Sequence, residues 1–238
     1  MKNQVNLLES LIRIPSPSGY EEEIAEFINQ KLLKILPKSA VTVDMHNNVI
    51  AVVKGISDKT IMIDAHTDQI GFVVNNVDPQ GFITLLAVGG HDRSVLTARD
   101  LIILTDKGVV HGVVNRRHAH LVDEDHLPDI IKMEEAAVDI GPRSKRKVKS
   151  TVRIGDGVVY DPMFHHLQES FYAGTGMDDK AGCWVVFQLI KRIVKSQKRV
   201  LPTMVFTFSA QEETGGRKLR PVIRKYSPDL FAVLARKK

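Results

Sequence analysis

The 238-residue sequence has one cysteine, Cys183, and no long apolar run. A single cysteine cannot form an internal disulfide bond, which excludes a disulfide-bonded secreted scaffold and a cysteine-rich zinc motif. No apolar stretch approaches the ~20 residues that a membrane-spanning helix needs, and the first residues lack the apolar core of a signal peptide. These absences predict a cytoplasmic protein that has no membrane partner.

Aromatic residues are also scarce, at 6% of the sequence, although the net charge is +5 and the pI is about 9.2. The basic clusters contain no interleaved aromatic residues and match no nucleic-acid recognition module. They are typical of solvated helix faces and loops, so we expect no nucleic-acid partner. The clusters lie at 143–149, 191–199 and 217–225.

Helix and strand periodicities alternate at both ends of the chain, whereas the middle contains many short β runs. Turns such as Asp78-Pro79-Gln80-Gly81 and Gly89-Gly90 separate these runs and are typical of a small barrel. One helical pattern, 127–135, interrupts them. The pattern predicts an α/β sheet domain at 1–69 and 165–238, with a small β-barrel-like domain inserted at 70–164.

The pattern Ser18-x-x-Glu21 precedes an amphipathic stripe that begins at Ile24. A serine followed three residues later by a glutamate is typical of a capping box. The sequence therefore predicts that these two side chains cap the first turn of a helix.

Three short motifs lie at the ends of β-branched runs or at the start of a helical pattern. They are His66-x-Asp68, Asp178-Asp179 and Glu212-Glu213. The first follows the predicted strand 61–63, and the third follows 201–208. Because ligands bind at the carboxyl ends of the strands in open α/β sheets, we expect the three motifs to converge on one edge.

The residue types of these motifs suit a metal-dependent hydrolase. One carboxylate of a Glu-Glu pair can bind a cation while the other, pointing away along the chain, acts as a general base. Asp68 can project to the same side as His66 and accept a hydrogen bond from the ring nitrogen that does not bind metal. Taken singly, the motifs could be a surface histidine, an acidic helix start and a solvated turn. Their combination favours a metal site.

Together with Gly89-Gly90, Val158–Asp161 and Gln211–Gly215, these motifs resemble the cytoplasmic di-metal aminopeptidases that assemble into tetrahedral dodecamers. That family includes glutamyl and deblocking aminopeptidases, and the resemblance covers nearly the whole chain. It implies a metallopeptidase-type α/β domain split by an inserted lid and oligomerisation domain. It further implies two zinc or cobalt ions, peptide substrates and a homo-oligomer.

The resemblance also assigns roles to individual residues. It makes His66 and Glu213 ligands of one metal each, with Asp178 bridging both ions. It makes Asp68 the residue that orients His66, and Glu212 the base that takes a proton from the attacking water. A cis peptide bond is implied between the two aspartates that open the helical pattern.

Three departures from the family pattern reduce the ligand set. Gln69 stands where family members usually have a glutamate, and Ala235 falls on the position of a metal-binding aspartate. A final histidine ligand is missing, and the sequence ends at Arg236-Lys237-Lys238. We therefore expect a C-terminally truncated chain with an incomplete second metal site and impaired activity.

Two alternatives to an aminopeptidase remain open. A catalytically inactive remnant could act as a binding or assembly protein, which would fit the reduced ligand set. A related di-metal carboxypeptidase or deacylase is disfavoured, because the insertion here lies between His66 and Asp178, whereas those relatives usually carry theirs after the Glu-Glu motif.

Overall fold

The computed structural model describes residues 2–116 and 136–234, which divide into two compact units. We call Met1–Gln69 with Pro162–Lys238 the sheet unit, and Ile70–Asp161 the barrel unit. The sequence placed the second boundary after residue 164. The predicted helix at 127–135 lies outside the described residues.

The sheet unit is built on a mixed sheet with the strand order β1-β2-β12-β3-β13. Strands β12 and β13 both run parallel to β3, and β2 runs antiparallel to β12. A separate two-stranded hairpin, β10–β11, precedes helix α4 and was not predicted. The strands are β1 (Val41–Val43), β2 (Val49–Val53), β3 (Thr60–His66), β10 (Phe164–His166), β11 (Tyr172–Gly174), β12 (Thr203–Ser209) and β13 (Leu230–Val233).

Helices pack on both faces of this sheet. On one face, apolar side chains of α1, α2 and α4 form a core with β2, β3 and β12, centred on residues such as Ile28 and Phe206. On the other face, Val222 of α5 and Leu219, the residue just before that helix, pack with Met62. The helices are α1 (Lys2–Arg13), α2 (Glu22–Leu32), α4 (Met177–Ser196) and α5 (Arg220–Tyr226).

The barrel unit is a closed barrel with the strand order β4-β5-β8-β7-β6-β9. Its paired strands are antiparallel, and its interior is filled by apolar side chains such as Phe72 and Leu101. Helix α3 (Lys145–Lys149) adds Val148 to this core. The strands are β4 (Gly71–Val77), β5 (Ile83–Val88), β6 (Asp100–Thr105), β7 (Gly108–Arg116), β8 (Ala136–Asp139) and β9 (Gly157–Tyr160).

The observed architecture confirms the predicted fold class, an α/β sheet domain together with a small β-barrel. The capping-box prediction was wrong. Helix α2 begins at Glu22, and its N-cap residue Glu21 makes no side-chain capping hydrogen bond. Among the described residues, no helix combines the length and the apolar character needed to cross a bilayer.

Candidate metal centre

The register of two parallel strands brings the first and third motifs to one edge of the sheet. Residue His66 ends β3 and pairs with Ser209, which ends β12. Because the strands are parallel, the turn that follows Ser209 starts beside the imidazole of His66. The glutamate pair 212–213 lies in that turn.

The imidazole of His66 is the centre of the resulting cluster. Its Nε2 atom lies 3.5 Å from Oδ1 of Asp178 and 3.9 Å from Oε2 of Glu212. His66, Glu212 and Glu213 each offer one ligand atom, and these three atoms lie within 4.8 Å of one another. The structure thus brings together His66, Asp178, Glu212 and Glu213, although it does not distinguish the roles predicted for the two glutamates.

Asp68 holds both the imidazole and the glutamate pair. Its Oδ1 accepts a hydrogen bond from the backbone amide of Glu212 at 2.9 Å, and its Oδ2 accepts one from that of Glu213 at 3.1 Å. The hydroxyl of Ser18 also donates to Oδ2. Burial alone would raise the pKa of Asp68, but hydrogen bonds from His66, Ser18 and Glu212 keep that pKa below its usual value.

The contacts of the His66 ring define which nitrogen faces the carboxylates. Nδ1 lies 3.0 Å from the backbone carbonyl oxygen of Asp68 and 3.5 Å from Oδ1 of its carboxylate. A carbonyl oxygen can only accept, so Nδ1 carries the hydrogen. In the neutral ring, the lone pair of Nε2 then points toward Asp178 and Glu212, which is the arrangement that a metal-binding histidine requires.

The peptide bond between Asp178 and Asp179 is cis, as the resemblance implied, and both residues depart from helical dihedral angles at the start of α4. The carboxylate of Asp179 turns inward, where Oδ1 accepts a hydrogen bond from Gly182 N at 3.1 Å. A Cβ atom at Gly182 would lie only 2.3–2.5 Å from this carboxylate, so a side chain there would force it out. Asp178 is about half exposed and faces the cluster.

Crowded acidic groups shape the electrostatics of the site. Burial and neighbouring carboxylates raise the pKa of Glu213, and burial with the charge of Asp178 raises that of Asp179 to about 7. Burial opposes protonation of His66, but Asp68, Asp179 and Glu212 outweigh it and raise its pKa to about 9. The cluster therefore favours positive charge at its centre.

The donor set fits a divalent cation. Zinc binds histidine nitrogen and carboxylate oxygen at about 2.0–2.2 Å, which places two tetrahedral ligand atoms roughly 3.3–3.6 Å apart. The 3.5 Å separation between His66 Nε2 and Asp178 Oδ1 falls in that range. An imidazole lone pair together with several carboxylates is a donor set that transition metals such as zinc and cobalt accept.

Several contacts around the cluster were not predicted from the sequence. Ser18 and Glu21, which predicted a helix cap, contact the site instead: Ser18 bonds Asp68, and Glu21 accepts a hydrogen bond from Gln211 N at 3.0 Å. Lys180 is fully buried two residues after Asp178, and burial lowers its pKa to about 7. A charged residue inside the apolar stripe of a helix was the available signal for Lys180.

A second buried carboxyl lies on β3, two residues before His66. Asp64 accepts hydrogen bonds from the hydroxyls of Thr207 and Ser209 on β12, and burial raises its pKa to about 6. These bonds join β3 to β12 just below the site. Ala235, which the sequence resemblance aligns with a ligand position, lies outside the described residues.

The M42 glutamyl aminopeptidase family model matches residues 47–235. The chain is 28% identical to a lysyl aminopeptidase of Pyrococcus furiosus, an alignment that covers 94% of this chain and 64% of that protein. It superposes on a TET aminopeptidase from the marine sediment archaeon Thaumarchaeota archaeon SCGC AB-539-E09 with a TM-score of 0.92 and 27% identity, covering 98% of this chain and 65% of the other.

A third similar protein is the TET1 peptidase of Pyrococcus horikoshii, with a TM-score of 0.87 and 27% identity over 98% of this chain and 68% of that one. That peptidase can assemble into a tetrahedron or a large octahedral shell. The chain spans about 64% of the length of the curated relatives it matches. Since the family model covers most of its residues and the fold agrees, the chain belongs to the M42 glutamyl aminopeptidase family.

Proposed function

We propose that this protein is a metal-dependent aminopeptidase that hydrolyses N-terminal residues from peptides. The observation that carries the proposal is the convergence of His66 Nε2 with the carboxylates of Asp178, Glu212 and Glu213 at the carboxyl edge of the sheet. Membership in a family of aminopeptidases supports the same reaction class. The lysyl aminopeptidase of Pyrococcus furiosus is a relative with this type of activity in its name.

The residues that would hold the metal are His66, Asp178 and Glu213, with Asp178 shared between two zinc or cobalt ions. When bound, such ions polarise the scissile carbonyl and lower the pKa of a water molecule, which supplies a nucleophile at neutral pH. Because Ala235 offers no ligand atom at the position where the family has a carboxylate, we expect one ion to bind tightly and the second weakly.

The chain's own residues would supply proton transfer and orientation. Glu212 is the general base that accepts the proton of the attacking water and returns it to the departing amine. Asp68 fixes the backbone of this base and of the adjacent metal ligand, because its carboxylate accepts hydrogen bonds from the amides of Glu212 and Glu213. Asp68 also holds the Nδ1 side of His66, so one buried residue sets the geometry of base and ligands together.

We further propose that the protein forms a homo-oligomer, with the barrel unit acting as lid and oligomerisation domain. The support is analogy: the Pyrococcus horikoshii TET1 peptidase can assemble into a tetrahedron or a large octahedral shell.

The test is metal content after purification without chelators, followed by hydrolysis of a panel of aminoacyl chromogenic substrates. We expect bound zinc or cobalt and slow metal-dependent turnover that a chelator abolishes. Glu212→Gln should lower turnover by about 10²–10⁴-fold, the usual contribution of a general base, while the metal is retained.

Glu213→Gln is the matched control, because it makes the same change on the adjacent residue. It should reduce metal content, since Glu213 is the proposed ligand. If the metal is lost with Glu212→Gln and kept with Glu213→Gln, the two roles are reversed. If the unaltered protein binds metal yet cleaves no substrate of the panel, the aminopeptidase proposal is wrong.

A further inference from the structure

Lys180 is a buried lysine whose amino group makes a specific set of contacts beside the metal centre. The side chain has 0% exposure, although it belongs to the first turns of α4 only two residues after Asp178. Its Nζ donates hydrogen bonds to the backbone carbonyl of Ile14, at 2.6 Å, and to Oε1 of Gln69. Both acceptors are neutral, so neither of these two hydrogen bonds is a salt bridge.

The two acceptors belong to segments that already support the site. Two hydrogen bonds join segment 14–18 to segment 66–69. Ser16 Oγ donates to the Thr67 carbonyl oxygen at 2.8 Å, and Gln69 N donates to the Ser16 carbonyl oxygen at 2.9 Å. Segment 66–69 carries His66 and Asp68. Lys180 thus joins α4, which carries Asp178, to the pair of segments that carry the imidazole and its orienting carboxylate.

Gln69 is itself held in place from the other side. A Cβ atom at Gly176, the N-cap residue of α4, would lie 3.1 Å from Cδ and Oε1 of Gln69. The amide of Gln69 therefore lies between the backbone at the start of α4 and the amino group of Lys180. This packing restricts the position of the acceptor in addition to the lysine hydrogen bond.

Stability alone does not explain a lysine here. An amino group taken from water is costly unless its environment compensates, and replacing a buried charged group with an apolar residue of similar volume is often neutral or stabilising. Methionine has nearly the same length and could fill the space. What methionine cannot provide is a directional bond from α4 to Ile14 and Gln69 at once.

We propose that Lys180 is a positioning residue of the metal centre, which fixes the carboxylate of Asp178 relative to the imidazole of His66 through Gln69 and Ile14. The inference rests on the proposed metal site, but it concerns ligand geometry and can be tested by metal binding alone. Cys183 Sγ also contacts the His66 carbonyl from α4, at 3.1 Å, so Lys180 adds a second tie at the N-terminal end of the helix.

The test compares Lys180→Met, Gln69→Leu and Gln69→Glu in the full chain. Leucine removes the acceptor at position 69, whereas glutamate keeps it. Comparing these two variants therefore separates the effect of the hydrogen bond from Lys180 from the effect of side-chain packing at position 69. Cobalt titrations give the affinity, and the visible spectrum of bound cobalt reports its coordination geometry. Urea unfolding in a chelator gives stability without metal.

We expect Lys180→Met and Gln69→Leu to weaken cobalt binding by about 10–100-fold, as for other residues that orient metal ligands, and to change the spectrum. Gln69→Glu should retain the affinity and the spectrum of the parent. Val186→Ala, a buried cavity-forming change in the same helix, controls for simple loss of stability. It should lower stability in chelator but leave cobalt affinity and spectrum unchanged.

The outcomes separate this proposal from the proposed function. If the parent binds no cobalt, the metal site itself is refuted. If the parent binds cobalt and Lys180→Met binds it equally well with the same spectrum, Lys180 has only a packing role. If Lys180→Met does not fold, the comparison of Gln69→Leu with Gln69→Glu tests the proposal instead. Equal cobalt affinities in these two variants would overturn the positioning role of Lys180.

Discussion

The two units differ in what they bury. Among the described residues, fourteen polar or charged residues are buried, and thirteen of them belong to the sheet unit. Of these fourteen, the one from the barrel unit is Asp78, whose carboxylate accepts a hydrogen bond from Phe82 N within a turn. The thirteen of the sheet unit are Ser16, Ser18, Glu21, Asn48, Asp64, His66, Thr67, Asp68, Gln69, Asp179, Lys180, Thr207 and Ser209.

This contrast separates stability from chemistry. Buried polar groups cost free energy unless they are paired. A unit that places many of them at one sheet edge is therefore less stable than one with an apolar core, but it holds the side chains of the site in a defined geometry. The barrel core is built from aliphatic and aromatic side chains, so much less of what this unit buries is polar. We therefore expect substitutions in the barrel core to act on stability, and substitutions among the buried polar residues to act first on metal binding.

Phe72→Ala should give the largest effect on stability. Phe72 has 0% exposure in the barrel core, and its ring stacks on His91 with a centroid distance of 4.2 Å. Removing a buried phenylalanine leaves a cavity and typically costs about 3–5 kcal/mol of unfolding free energy. Urea unfolding followed by circular dichroism measures the loss.

The same variant tests whether the contrast between the units holds. Metal content per folded molecule should remain that of the parent, because none of the proposed ligands lies in the barrel unit. A stability loss below about 1 kcal/mol would mean that the cavity collapses and the core is not tightly packed. Loss of metal in the folded Phe72→Ala protein would show that the two units are coupled.

The sequence predicted the fold class because the periodicities of its long elements are simple. The alternation of short β runs and turns indicated the barrel, and the apolar runs before His66 and Glu212 indicated the two central strands. The hairpin β10–β11 was missed because three-residue strands are too short to show a periodicity. Its sequence, with His165, His166 and Glu169, also lacks an alternating apolar pattern.

The metal centre was predictable as a set of motifs but not as a network. His66, Asp178 and the glutamate pair were identifiable because their residue types and strand-end positions carry the chemistry. Asp68 was identifiable as the residue that orients His66, but Ser18 and Glu21 were not identifiable as part of the site, because they fit a local capping pattern equally well. Only the tertiary structure shows that Ser18 bonds Asp68, fifty positions away, and that local hydrogen bonding is displaced by this long-range contact.

Asp68→Asn should weaken metal binding by about 10–100-fold, equivalent to about 1.4–2.7 kcal/mol at 25 °C. The amide replaces one carboxylate oxygen by a donor, so either the bond from Glu212 N to Oδ1 is lost, or Oδ2 can no longer accept the bonds from Glu213 N and Ser18. The glutamate pair and His66 then lose their common anchor. Isothermal titration with zinc measures the change.

Asp78→Asn is the matched control, since Asp78 is the buried carboxylate of the barrel unit and also accepts a backbone hydrogen bond. It should leave zinc affinity at the parent value. Equal effects of the two substitutions would mean that zinc affinity follows general stability, and the contrast between the units would then have no bearing on the metal site.

The smallest effect expected is a pH dependence at Glu21. Burial raises the pKa of Glu21 above its usual value of 4.5, against the opposing hydrogen bond from the Gly19 amide. Above pH 4.5 the unfolded chain has released this proton while the folded protein still holds it, so unfolding becomes easier as pH rises through that window. Glu21→Gln removes the titration. The unfolding free energy of Glu21→Gln minus that of the parent should therefore be larger at pH 7 than at pH 4. Urea unfolding in a chelator measures both free energies.

Glu26→Gln, in the helix that Glu21 precedes as N-cap residue, provides a control of opposite sign. Hydrogen bonds from Gln30 and Asn29 lower the pKa of Glu26, which is exposed. A lowered pKa gives stability that is present above pH 4.5 and is lost as pH falls. The unfolding free energy of Glu26→Gln minus that of the parent should therefore be smaller at pH 7 than at pH 4. The change should be slight, because solvent screens exposed groups. If the difference in unfolding free energy between Glu21→Gln and the parent is the same at both pH values, the buried charge of Glu21 does not destabilise the folded protein. The buried polar groups of the sheet unit would then cost less free energy than the comparison with the barrel unit implies.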